Sequence, residues 1–398
     1  MHNHIALIAI SLLVLVYGLF SGLSERSPIS GPMIFVAVGV LLSPLGLNLI
    51  EVHLSADVIR TMAEVTLIII LFVDASLIEF TKLKAVLAGI PARLLIIGLP
   101  LTMLLGTLAA LYFFPNQNIW ILVMLALILS PTDAALGQAV VKSEHVPERL
   151  KESISVESGL NDGISLPPIL LCIAVLASGG SALSGDGYWL TFMAKQLTIG
   201  PLMGAFVGYF GGKLIDYATN KGWMGHVFHE LSAISMAILA FSLAEVFHGN
   251  GFISAFFAGL MLGTKIHLVR ERIQEFGEAQ GQLLSLIIFF LLGMSIYIFS
   301  PYWDLNTLFY SILSLTIIRM VPVLISLIGT NIDFYSKIFV AWFGPRGIAS
   351  VLYMLIVIGE LGLSGHENIL SVIVLTVLIS IFSHGLSAVY MSNKFKHP

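Results

Sequence analysis

Apolar residues fill long blocks of this chain, and polar residues gather in short intervals between them. A helix that crosses a bilayer needs about 20 consecutive apolar residues. Thirteen such segments are predicted, at 5–21, 31–49, 58–79, 86–113, 118–142, 150–177, 188–218, 227–247, 250–264, 280–299, 305–329, 335–358 and 366–391. The runs lack strand alternation, so helices rather than a barrel are expected. The first has no basic stretch before it and no small-residue cleavage pattern, and it reads as a retained helix. The expected fold class is all-α polytopic membrane protein. A single transmembrane domain over 1–398 is expected, with no soluble domain at either end.

Composition narrows the class further. Of 398 residues, 57% are hydrophobic and 11% charged, with a mean hydropathy of +0.97. Soluble domains carry about 25% charged residues. A nucleic-acid binder, a secreted disulfide scaffold and a disordered chain are excluded, and the lone Cys172 cannot form an internal disulfide. The partner that composition demands is a lipid bilayer.

The position of charge matters more than the net charge of −4. Fifteen of the 19 basic residues fall in alternate connections or the tail: Arg26; Lys82, Lys84 and Arg93; Lys142, Arg149 and Lys151; Lys213 and Lys221; Lys265, Arg270 and Arg272; Lys337; Lys394 and Lys396. The other connections carry Asp186, Asp304, Glu360 and Glu367 instead. By the positive-inside rule the N-terminus lies outside and the C-terminus in the cytoplasm. Arg60 and Lys195, near span ends, can snorkel to the interface. Arg319 and Arg346 sit mid-span, where a charge costs about 2.5–3.5 kcal/mol even on an insertion scale. They are expected to have buried acidic partners.

Candidate chemistry lies where spans are interrupted. The fifth span contains Leu129-Ser130-Pro131-Thr132-Asp133, and the twelfth contains Phe343-Gly344-Pro345-Arg346-Gly347. Proline removes a backbone donor and disfavours helix just before it. Opened backbone at membrane depth is tolerated only against protein or a wet cavity, where it offers carbonyls and half-helix ends to a small ion. The two breaks lie seven spans apart. That placement suggests inverted repeats of spans 1–6 and 8–13, joined by span 7. In the sixth span, Ser158 and Asp162 share one helical stripe, and Glu157 and Asn161 the next, with Ser165 beyond. Asp74 is a further deep acid. Glu64, Glu79 and Glu245 read as structural. His226, His229 and Glu230 have metal-ligand residue types, but at a cytoplasmic span end they read as a solvated face, with pH sensing as the alternative. No cofactor is called for.

Ser130-Pro131-Thr132-Asp133, Glu157-Ser158-Gly159-Leu160-Asn161-Asp162 and Gly344-Pro345-Arg346-Gly347 resemble the monovalent cation/proton antiporters of the NhaP/NHE type. That family often has Leu where this chain has Pro345. The resemblance implies an NhaA-like antiporter fold and makes Asp162 the alternating carrier of cation and proton. It implies that Thr132, Asp133, Ser158 and Asp74 complete the site, with Na⁺ held at Asp162, Asp133, Thr132 and Ser158. Glu157 and Arg319 would be a buried ion pair braced by Asn161, with Arg346 as further support. The resemblance also implies a homodimer, with a dimer side near 1–80 and 188–299 and a moving core near 86–177 and 305–391. The short loops suggest a bacterial or archaeal inner membrane, and the long regulatory tail of animal exchangers is not expected.

The charges support a mechanism. Asp74, Asp133, Glu157 and Asp162 face Arg319 and Arg346, an excess of two negative charges. One cation or one proton relieves it, and both together are disfavoured. Competition at Asp162 then gives exchange without separate gates. Asn161 cannot carry a proton, so exchange is expected to be electroneutral. The cation expected is Na⁺ or Li⁺; the residues leave K⁺ open. A channel or uniporter could use the same broken helices. An intramembrane aspartyl protease would require Gly-x-Gly-Asp, which neither Asp133 nor Asp162 completes.

Overall fold

The computed structural model describes residues 2–24, 27–50, 56–77, 89–133, 136, 140, 143–179, 188–262 and 267–396. Arg26, Glu79, Lys82, Lys84, Lys142, Asp186 and Lys265 lie outside the described residues, as do the side chains of Arg60, His226, Arg270 and Arg272.

Every regular element among the described residues is helical. The helices are α1 (His2–Ser24), α2 (Gly31–Leu42), α3 (Ala56–Leu77), α4 (Ile90–Phe113), α5 (Ile119–Ile128), α6 (Glu148–Ala177), α7 (Tyr188–Asn220) and α8 (His226–Val246). They continue with α9 (Gly251–Leu262), α10 (His267–Phe299), α11 (Leu305–Leu315), α12 (Ile317–Ser326), α13 (Phe334–Trp342), α14 (Ile348–Leu361) and α15 (Glu367–Asn393). Among the described residues, six helical stretches are long and apolar enough to cross a membrane, and five more are shorter apolar helices. The chain is a multi-pass membrane protein.

Several predicted spans change at their ends or interiors. The second stops at Leu42, because Pro44 follows and the chain folds back, with Ile50 N donating to Leu42 O at 3.1 Å. The tenth begins at His267, before the apolar run, since charged straight-chain residues such as Arg270 and Glu271 suit a helix. The fourth contains a π turn over Leu94–Gly98. The eleventh, predicted as continuous, breaks at Thr316 (φ −108, ψ −96). The Thr316 hydroxyl donates to Ile312 O at 2.7 Å, a back-bond of the kind that bends helices.

Small residues set the packing. Gly204 and Gly208 of α7 abut the backbone of Ser254 and Ala258 in α9, and Gly259 of α9 abuts Phe72 of α3. Gly39 of α2 and Gly293 of α10 meet in the same way. Close backbone approach by small residues is what drives helix association where lipid supplies no hydrophobic force. Helix α3 also packs on α6 and α14, which brings Asp74 toward both interrupted regions.

His229 corrects the expectation of a solvated face. It is buried, with Nε2 3.0 Å from Thr219 Oγ1 of α7. The packing of α8 against α7 takes it out of water.

Candidate functional site

Helix α5 ends at Ile128, three residues before Pro131, and no helix is assigned at Thr132 or Asp133. The first half of span 12 ends at Trp342, and Phe343–Gly347 is non-helical until α14 begins. Each proline withholds the donor a continuous helix needs. The two opened segments touch, with Asp133 N donating to Pro345 O at 2.8 Å.

Each break supplies the charge that the other break's helix end requires. Arg346 Nη1 donates to Ser130 O at 2.5 Å and Pro131 O at 3.0 Å, just beyond the C-terminal end of α5. Asp133 Oδ2 accepts from Ile348 N at 2.7 Å, at the N-terminal end of α14. A helix carries partial negative charge at its C-terminus and partial positive charge at its N-terminus, so both placements are favourable. Ser350 Oγ adds a bond to Ile128 O at 2.8 Å. A Cβ at Gly347 would overlap the Asp133 carboxylate, and one at Gly344 would overlap the Arg319 guanidinium. Glycine is required at both by close approach.

This arrangement corrects one expectation. Arg346 is fully buried, yet among the described residues its bonds go to carbonyls rather than to a carboxylate. The opened backbone of span 5 supplies acceptors to Nη1, while Nε and Nη2 are buried without a hydrogen-bond partner.

Helix α6 faces this crossing. Glu157 and Arg319 form a bidentate pair, at 2.6 and 2.8 Å, with both side chains 1% exposed. Such forked pairing satisfies both carboxylate oxygens. Ser158 Oγ donates to Thr132 O at 2.6 Å, and Asn161 Nδ2 to Thr132 Oγ1 at 2.7 Å. Asn161 therefore holds Thr132, and not the ion pair that the resemblance implied it would brace. Both oxygens of Glu157 are already taken by Arg319, and the Thr132 hydroxyl is the acceptor its amide meets.

Asp162 is 7% exposed, and its Oδ1 is buried without a hydrogen-bond partner. Tyr353 OH donates to the Asp162 backbone carbonyl at 3.1 Å and ties α14 to α6. Asp74 lies half-buried on α3, which packs on α6, and Asp133 follows Thr132, which Ser158 and Asn161 of α6 hold. The Glu157–Arg319 pair is self-contained. The excess negative charge therefore falls on Asp74, Asp133 and Asp162, with Arg346 held on the carbonyl side. A buried carboxylate oxygen with no donor can accept a proton or a small cation.

Several residues of this region escape a reading of sequence. Ser380 Oγ accepts from Arg346 N at 2.7 Å, and His384 Nε2 lies 3.0 Å from Trp342 O. One turn of α15 thus grips both sides of the span 12 break. Their spacing of four is the signal that could have found them. Ser350 and Tyr353 follow the break at a similar interval. Among the described residues, no three His, Cys, Asp or Glu side chains are grouped to hold a multidentate metal site.

Comparison with known proteins follows the same lines. A family model described as "Sodium/hydrogen exchanger, transmembrane" matches residues 9–394. The chain is 27% identical over 359 residues to the K(+)/H(+) antiporter NhaP of Alkalimonas amylolytica, covering 87% of this chain and 60% of that protein. It is 24% identical over 386 residues to the K(+)/H(+) antiporter NhaP2 of Shewanella oneidensis, covering 95% of this chain and 64% of the relative. The chain thus spans less than two thirds of the length of these curated relatives. The structure of the sodium proton antiporter MjNhaP1 from Methanocaldococcus jannaschii at pH 8 superposes with a TM-score of 0.79 at 19% identity, covering 100% of both chains. The chain has the NhaA-like antiporter fold of that protein.

Proposed function

The chain belongs to the sodium/hydrogen exchanger family, a family of secondary transporters rather than enzymes, and we propose that it is an electroneutral antiporter exchanging Na⁺ or Li⁺ for H⁺ by alternating access. The two ions compete for Asp162. Asp133, Thr132, Ser158 and Asp74 complete the cation site. Glu157 with Arg319, and Arg346 on the carbonyls of span 5, hold its frame.

The observation that carries this reading is the unpartnered Oδ1 of a buried Asp162 beside two crossing helix breaks. A carboxylate left unsatisfied at that depth is costly unless a ligand or a proton fills the place. Asp74 and Asp133 add negative charge to this region, so a proton or a cation at Asp162 is favoured. Both would bind the same carboxylate, and that shared seat is why one displaces the other.

A second reading is K⁺/H⁺ exchange at the same site. It is favoured by two relatives that carry the name K(+)/H(+) antiporter. The protein is further proposed to work as a homodimer in an inner membrane, with its N-terminus outside and C-terminus in the cytoplasm. Residues 1–80 and 188–299 would form the dimer side, and 86–177 and 305–391 the moving core.

Dequenching of a pH dye in everted vesicles, titrated with Na⁺, Li⁺ and K⁺, tests the reading. Dequenching by Na⁺ and Li⁺ and none by K⁺ is the expected result. Dequenching by K⁺ alone replaces the first reading with the second. No response to any of the three contradicts both.

A further inference from the structure

Buried hydroxyls in these helices usually give their proton to a carbonyl one turn back. Thr102 donates to Gly98 O at 2.8 Å, Ser153 to Arg149 O at 2.6 Å and Thr376 to Val372 O at 2.7 Å. Ser165 of α6 departs from this habit. It is 0% exposed, and its Oγ has no hydrogen-bond partner. Asn161 Oδ1 and Asp162 Oδ1 are likewise buried and unpartnered. The remaining unpartnered serines, Ser30 and Ser392, lie at helix ends.

The three residues lie close together along α6. Position 165 follows 161 by four and 162 by three, so all three lie on one face within about a turn. A buried polar atom without a partner is exceptional, and each carries a desolvation cost. Three in one turn, of a hydroxyl, an amide and a carboxylate, mark a place for one species that satisfies several oxygens together. A proton bonds to one oxygen and is shared with at most one more. A monovalent cation that has shed water gathers several.

We propose that Ser165 Oγ, together with Asn161 Oδ1, is a neutral ligand to the transported cation held at Asp162. This rests on the Asp162 reading and adds to it a device that separates cation from proton. The carboxylate serves both ions. The two neutral oxygens serve the cation alone, and they set how strongly it competes.

The test uses the full-length chain in proteoliposomes, with Na⁺, Li⁺ and K⁺ as probes. KM and maximal rate are measured at two pH values for wild type, Ser165→Ala, Ser165→Thr and Asp162→Asn. In Ser165→Ala the KM for the exchanged cation rises about three- to tenfold, the range for losing one neutral polar contact. It rises by the same factor at both pH values, since proton affinity is untouched, and the maximal rate holds. Ser165→Thr keeps the hydroxyl and restores KM. An unchanged KM in Ser165→Ala, with Asp162→Asn silent, overturns the Ser165 proposal alone. A fall in both maximal rate and melting temperature that Thr does not rescue assigns Ser165 to packing and also overturns it. Exchange by Asp162→Asn overturns the underlying site instead.

Discussion

At the scale of single residues, the acids of α6 divide into two kinds. Glu157 is closed on both oxygens by Arg319, whereas Asp162 keeps one oxygen open. The consequences differ. Asp162→Asn removes the charge but keeps the shape, so it should abolish exchange while the protein purifies with a normal melting profile. Glu157→Ala strands a buried guanidinium. Breaking one side of a buried pair costs about 3–5 kcal/mol, so this variant should lose yield and melting temperature before any transport assay is reached. The deep acids themselves were legible in the sequence, because a carboxylate in an apolar span is too costly to be incidental. The partners of Asn161 and Arg346 were not. Arg346 Nη1 is bound by carbonyls of Ser130 and Pro131, and a backbone acceptor leaves no trace in residue identity.

Elements tell a similar story. Pro131 and Pro345 announced their breaks in sequence, since proline withholds a donor wherever it sits. Thr316 announced nothing, being an ordinary residue in an apolar run, and the interruption of span 11 became visible only in the structure. The crossing itself depends on Gly347, where any side chain would meet Asp133. Gly347→Ala should therefore displace the Asp133 cap on α14 and reduce exchange severely, while Gly362→Ala, a glycine at φ +80 with open space around it, should cost stability without silencing transport. Transport and thermal melting measured side by side distinguish the two.

Helix caps outside the membrane give a pH signature. The Ser336 hydroxyl and backbone N–H hold the Asp333 carboxyl below its ordinary range, and those of Thr307, backbone first, do the same for Asp304. For a carboxyl lowered on folding, the stabilisation is present above the unfolded pKa and fades as pH falls through the folded one. The solubilised wild type should exceed Asp333→Ala by about 1 kcal/mol at neutral pH. That margin should shrink once pH drops below about 4. A margin that stays constant down to pH 3 would remove the cap from the account.

For the whole molecule, the pattern of spans fixed the class, and the seven-span interval between breaks pointed to paired halves. What the sequence could not display is the exchange of charges between the breaks. Asp133 serves α14 and Arg346 serves α5, so neither half-helix end is complete without the other repeat. Helix α15 then secures the crossing through Ser380 and His384. Because the Glu157–Arg319 pair is neutral within itself, the proposed competition at Asp162 carries one positive charge in each direction per cycle. Reconstituted exchange should consequently build no membrane potential, read with a potential-sensitive dye.

Competition for one carboxylate is the central claim, and steady-state exchange in proteoliposomes measured across pH tests it most directly. Below the pH at which Asp162 holds its proton half the time, the apparent KM for the cation should rise about tenfold per pH unit of acidification, with the maximal rate unchanged. A KM that ignores pH while the maximal rate titrates would mean that proton and cation occupy separate sites, and would contradict the account.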